Sequence, residues 1–171
     1  ISFLIGSDNK LKVEAKTGVT TPINIAGSTA ITDSNWHHVL LSFDVATGRK
    51  QIYLDDVAES VSGTTGNFLM DWSTTGTYYV ARSIDSFVPV DYDGALSEVW
   101  IESDSSMDFT TTSNRRKFID ASGNPEDLGS DGSTPTGTAP EIYLADGKTQ
   151  TGETASFSEN GTPTAVDGPN P

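Results

Sequence analysis

The chain of 171 residues contains no cysteine, which excludes disulfides, thiolate metal sites and a cysteine nucleophile. It also lacks any apolar run near the roughly 20 residues that a helical membrane span requires. Basic side chains are scarce: 10 Lys and Arg stand against 24 Asp and Glu, a formal net charge of -14. The acidity is spread along the chain rather than gathered in a tail. Such a field repels phosphate backbones and argues against nucleic acid as a partner, while it suits solubility, divalent cations, and neutral or basic partners. Nothing reads as a secretory leader. The chain starts at Ile1 inside a strand-like run without Met, which is what a segment of a longer protein would show.

What the sequence does have is polar, turn-rich and β-prone. Gly (16) and Pro (8) punctuate it, and many Ser and Thr surround them. The length fits one core-forming domain with an appended segment. Ile1 to Ile5 is apolar and β-prone, and Ser7-Asp8-Asn9 turns the chain. Leu11-Lys12-Val13-Glu14-Ala15-Lys16 then alternates apolar and polar, the period of a half-buried strand. Thr17-Gly18 turns again before Val19 to Ile25. In Trp36 to Asp44 the residues Val39, Leu41 and Phe43 share one face, and after Ala46-Thr47-Gly48 so do Ile52 and Leu54. Two alternating runs around a Gly-bearing turn predict a β-hairpin.

Tyr78 to Ala81 and Ala95 to Ile101 are further strand candidates. The Gly, Ser and Thr of Val61 to Gly76 predict loop, with Phe68, Leu69 and Trp72 docking on the body of the domain. Past Ile101 a short helix is expected over 112–119, capped by Thr112 or Ser113 and stopped before Gly123. Ser122 to Pro140 reads as loop, Ile142-Tyr143-Leu144 as a strand returning to a sheet, and Gly161 to Pro171 as a fraying end.

Three blocks then carry a resemblance to the laminin G-like, concanavalin A-like family. They are Trp36-His37-His38-Val39 leading to Phe43-Asp44, Gly48 followed by Ile52-Tyr53-Leu54-Asp55, and Gly94-Ala95-Leu96-Ser97-Glu98-Val99-Trp100-Ile101. Asp56 stands where the family usually has Gly, which leaves the turn type open, and the family's opening strands are absent. The resemblance implies an all-β, two-sheet antiparallel jelly-roll sandwich over 1–109. Residues 110–171 would add the short helix, a long loop and the returning strand, packed on the sandwich or on a neighbouring subunit. A second, fainter likeness covers Asn114 to Asp120 and Leu128 to Leu144. It resembles segments beside such jelly rolls in bacteriophage virion proteins of the tail, spike or head decoration.

The resemblance sets the functional expectations. Retaining glycosidases on this fold carry Glu-x-Asp-x-x-Glu on one strand. That motif is missing, as are the Ser nucleophile elbow, a Ser-His-Asp order and a phosphate loop, so an enzyme is not expected. Adjacent His37 and His38 point to opposite strand faces and do not chelate one ion; one or both belong to the framework beside Trp36. Many family members hold Ca2+ at a sandwich rim, which nominates Asp44, Asp55, Asp56, Asp91 and Asp93; the alternative is that these residues cap turns and end strands. Glycan stacking nominates Trp72, Tyr78, Phe87 and Tyr92, against core packing. Arg115-Arg116-Lys117 stands out in an acidic chain as a contact for a partner.

The leading expectation is a non-enzymatic adhesion module on a virion surface, in many copies, recognising host-surface glycans. The alternatives are a purely structural decorating or assembly protein that binds other virion proteins and, third, a polysaccharide hydrolase. No cofactor is expected apart from the Ca2+ just considered, and neither nucleic acid nor membrane is an expected partner.

Overall fold

The computed structural model describes residues 2–17, 20–66, 82–83, 90–91 and 94–145. Two compact units divide the chain: Ile1–Leu69 with Asp104–Glu126 and Pro171, and Met70–Ser103 with Asp127–Asn170.

In the first unit, β1 (Ser2–Ile5), β2 (Lys10–Thr17), β3 (Thr20–Ala30) and β7 (Ser62–Thr65) form an antiparallel sheet in the order β1-β2-β3-β7. A second antiparallel sheet joins β4 (Val39–Asp44), β5 (Arg49–Leu54) and β6 (Val57–Ala58). Period-2 alternation explains how they pack. Val13, Ala15, Ile23 and Ile25 of the first sheet bury against Ile52 of the second, with Leu11, Leu41, Phe43, Val45 and Val61 closing round them. This is a two-sheet antiparallel sandwich. The hairpin expected around Ala46-Thr47-Gly48 forms, running in register from Val39↔Leu54 to Asp44↔Arg49. Glu59 ties the sheets at one edge: its carboxylate accepts hydrogen bonds from the backbone N–H of Ser28 and Thr29, while its own N–H donates to Ile52.

The second sheet is covered on its outer face too. Leu40, Ser42, Gln51 and Tyr53 point away from the sandwich core, and segment 104–126 lies over them. Phe109 meets Tyr53 edge-on with ring centroids 6.4 Å apart and Phe118 at 6.0 Å. Gln51 donates to Asp108 and accepts the Phe109 N–H, and Arg49 donates to Ser106. Phe109, Phe118 and Ile119 are buried.

In the second unit, β10 (Val99–Ile101) pairs antiparallel with β11 (Ile142–Leu144), the expected returning strand. β8 (Arg82–Ser83) pairs with β9 (Val90–Asp91).

Three expectations change. Ser62–Thr65, taken for loop from its Gly, Ser and Thr, is a strand, because Gly63 (φ 103°) lets two backbones approach where a Cβ would lie 1.9 Å from the Asn24 carbonyl oxygen. The helix is only α1 (Thr112–Arg115), with Thr111 at its N-cap position making no side-chain cap; the chain leaves it through turns to an Ile119↔Pro125 bridge. Of the run Ala95 to Ile101, only the last three residues are strand, after Glu98 takes φ 51°. The expectations on Phe68, Leu69, Trp72, residues 78–81 and the C-terminal end lie outside the described residues. No helix among those described is long and apolar enough to cross a membrane.

Candidate functional site: the His37 rim

At one end of the β4–β5–β6 sheet, loop 31–38 meets the two-residue turn between β5 and β6. Leu54 pairs with Val57 across Asp55 and Asp56, at φ 51° and 62°. Positive φ at both central positions makes a type I′ turn, which matches the right-handed twist of the strands. Asp tolerates this region better than most residues, so the Gly expected at position 56 is not required.

The turn presents two carboxylates in different directions. Asp55 Oδ1 accepts the His38 N–H at 2.9 Å, and Asp55 Oδ2 lies 2.8 Å from His37 Nδ1. On the other side of the same ring, His37 Nε2 lies 2.9 Å from Asp33 Oδ1. Asp33 also accepts the Asn35 N–H, which shapes the loop. An imidazole with a carboxylate at each nitrogen is an imidazolium site, because only the protonated ring donates twice. Accordingly His37 is raised above its ordinary 6.5, chiefly by Asp55 and then Asp33. Its neighbour His38 is lowered, because burial disfavours its charged form. The framework role expected of the histidine pair beside Trp36 is thus visible in both, by different means.

Asp56 turns the other way. Its two oxygens bind Arg115 Nε at 2.6 Å and Arg116 Nη2 at 2.7 Å, and the Arg115 guanidinium stacks 4.8 Å over the Tyr53 ring. Arg115 also donates to the Phe109 carbonyl. The two arginines expected on a partner surface thus pair with a carboxylate of their own chain, and Arg116 remains 30% exposed. Lys117 is exposed.

Of the carboxylates nominated for Ca2+, Asp44 does not converge with Asp55 and Asp56. Asp44 and Asp55 sit at opposite ends of the β4–β5 hairpin, about 20 Å apart at the rise of a strand. Asp44 Oδ1 caps its turn by accepting the N–H groups of Ala46 and Thr47. Asp55 and Asp56 are committed to His37, His38 and the arginines. Asp91 lies in β9 and Asp93 outside the described residues.

The ring-stacking candidates Trp72, Tyr78, Phe87 and Tyr92 also lie outside the described residues. Tyr53 and Tyr143 are buried, and Trp100 is half-buried with its indole N–H donating to the Gly132 carbonyl. Trp36, by contrast, is 40% exposed and adjoins His37. Val39 (42%) and Val57 (65%) add exposed apolar surface to the same end of the sheet. Sequence reasoning treated Trp36 only as part of a strand motif. The signal available was its place in the loop before β4, off the alternating pattern.

In the second unit, burial raises the Glu98 carboxyl, which accepts a hydrogen bond from the Tyr143 hydroxyl at 3.5 Å; that phenol is pushed up to about 12. Glu141 is held by the Ser103 N–H and hydroxyl.

The antiparallel sandwich defines the class to which the first unit belongs. A laminin G-type family model, described as the concanavalin A-like lectin/glucanases superfamily, matches residues 1–107, and the chain belongs to that superfamily. No curated protein and no solved structure matched the chain.

Proposed function

We propose that the chain is a non-enzymatic glycan-binding module, carried in many copies on a virion surface and used for attachment to a host. Superfamily membership supports a carbohydrate ligand. The single observation that carries the reading is exposed Trp36 beside a ring of hydrogen-bonding groups formed by Asp33, His37 and Asp55. Sugars are bound by stacking a pyranose face on an aromatic ring while polar neighbours meet the hydroxyls. A shallow rim of this kind binds weakly, and repetition on a particle turns weak contacts into avidity.

Two features favour binding over catalysis. Glycoside hydrolysis needs two carboxyls facing one bond. At this rim Asp33 and Asp55 are both turned to the His37 ring, and Asp56 to arginines. Placement on a virion rests on the likeness of the segments after residue 114 to those beside phage jelly rolls. Within that setting a purely structural role would draw on surfaces other than Arg115 and Arg116.

The test is a printed oligosaccharide array probed with the chain displayed multivalently on a bead. Binding that falls at least tenfold in Trp36→Ala, with an unchanged melting temperature, supports the rim. Retained binding in that variant moves the contact elsewhere, and Trp72→Ala and Tyr92→Ala are the next variants to compare.

A further inference from the structure

We propose that protonation of His37 is a latch that sets how loop 31–38 presents Trp36, making the rim's binding dependent on pH; this rests on the glycan-binding reading above. The geometry is a ring clamped between two elements. Asp33 belongs to the loop itself, and Asp55 to the β5–β6 turn, and their oxygens lie 2.9 and 2.8 Å from the two ring nitrogens. Two other titratable groups described at this end have partners of their own. Asp56 is turned to Arg115 and Arg116 of the covering segment, and the half-buried His38 ring bonds to the Phe118 backbone.

A neutral imidazole has one N–H and one lone pair. On losing its proton His37 keeps a hydrogen bond to one carboxylate and turns a lone pair on the other. Asp55 is the partner retained, because it is also fixed by the His38 N–H and by its own N–H donating to the His38 carbonyl. Asp33 is then the one repelled. It lies 54% exposed, and its own side chain is tied by the His37 contact and the Asn35 N–H, between the loop's anchored ends at Ile31, whose N–H donates to the Asn9 carbonyl, and at His38, which pairs with Asp55. Movement of Asp33 therefore changes the three residues between it and His37, and Trp36 is one of them. The protonated form is the ordered one, and it holds the indole in place.

The experiment uses the full chain and follows three readouts across about pH 5 to about pH 9, the range in which imidazoles titrate. These are the ring resonances of His37, assigned with His38→Gln; the indole N–H resonance of Trp36, assigned with Trp36→Phe; and binding to the oligosaccharide array. The expected result is that His37 titrates above the ordinary 6.5 and the Trp36 resonance follows the same midpoint. Array binding then falls about tenfold as pH rises through it, the size of one charge-assisted hydrogen bond. Asp33→Asn should move all three midpoints down together. A Trp36 resonance indifferent to His37, or a midpoint unmoved by Asp33→Asn, overturns the latch. Equal binding at both ends of the range overturns its control of the rim but leaves glycan recognition standing. Absence of binding at every pH sinks the glycan reading alone, since the two resonances still decide whether the latch exists.

Discussion

Arg115 lies with its Nε 2.6 Å from Asp56 Oδ1 and its guanidinium plane over the Tyr53 ring, so one side chain joins the β5–β6 turn, the outer face of the second sheet and the segment that covers it. It is 14% exposed and its partner 23%. Removing a mostly buried partner leaves the other charge short of solvation. Arg115→Ala is expected to destabilise the first unit by about 2 kcal/mol, and Arg115→Lys to recover only part of it, because an ammonium cannot donate to Asp56 and to the Phe109 carbonyl from one planar group, nor lie flat on the Tyr53 ring. Urea unfolding curves of the three proteins check this. Equal midpoints for Arg115→Ala and the parent would show that the pair is solvated in solution.

The same turn makes a prediction with opposite signs in two backgrounds. Asp56 sits at φ 62°, where Gly carries no penalty. Yet Asp56→Gly also deletes the acceptor of two guanidinium groups. In the parent the lost pairing outweighs relief of the backbone, so the variant unfolds at lower urea. In a chain already carrying Arg115→Ala and Arg116→Ala only the backbone term remains, and Asp56→Gly should stabilise by about 0.5–1 kcal/mol. A double-mutant cycle reads the difference as a coupling energy.

Gly63→Ala tests the strand that its composition hides. The added Cβ would fall 1.9 Å from the Asn24 carbonyl oxygen and 2.9 Å from its carbon, at a φ of 103° that L side chains rarely adopt. Backbone, not a pliable side chain, is in the way, so β7 must leave β3. The expected loss is about 3 kcal/mol or more, with hydrogen-exchange protection lost at the amides of the Ile23↔Thr65 to Ala26↔Ser62 ladder. Gly48→Ala, where the nearest atom to a new Cβ is the Thr65 hydroxyl at 3.9 Å, should cost only the φ penalty.

These residues show why the fold was more legible than the site. Val13, Ile23, Ile25 and Ile52 alternate with polar neighbours, and alternation is a local signal that names both strand and buried face. Ser62 to Thr65 carries no such signal, because what holds it is backbone pairing at a close approach rather than side-chain burial. The covering of the second sheet by Phe109 and Phe118 is a contact of high sequence separation, which local periodicity does not encode. The same distance explains Arg115 and Arg116. Read along the chain they are a basic patch, and only the fold reveals that Asp56, sixty residues earlier, lies beside them. His37 was legible as framework, whereas its two carboxylate partners come from a loop and a turn that the strand pattern leaves unplaced.

Glu98 gives a pH test in the second unit. Burial raises its carboxyl above the ordinary 4.5, with the nearby Asp127 charge adding to the effect and the Tyr143 hydroxyl opposing it. Between the unfolded value and the raised folded one, the native state holds a proton that the unfolded chain has released. Stability from this group is therefore full below about 4.5 and declines as pH rises through the folded value, the reverse of an ion-paired carboxylate such as Asp56. Glu98→Gln keeps the shape and an acceptor for Tyr143 but never ionises. Its melting temperature should equal the parent's at acid pH and exceed it near neutrality, so that the difference between the two proteins grows with pH over that window alone. Subtracting one curve from the other removes the opposing contributions of the lowered carboxylates. A difference that stays flat, or shrinks as pH rises, would show that Glu98 is solvated and that its hydrogen bond to Tyr143 holds the charged form.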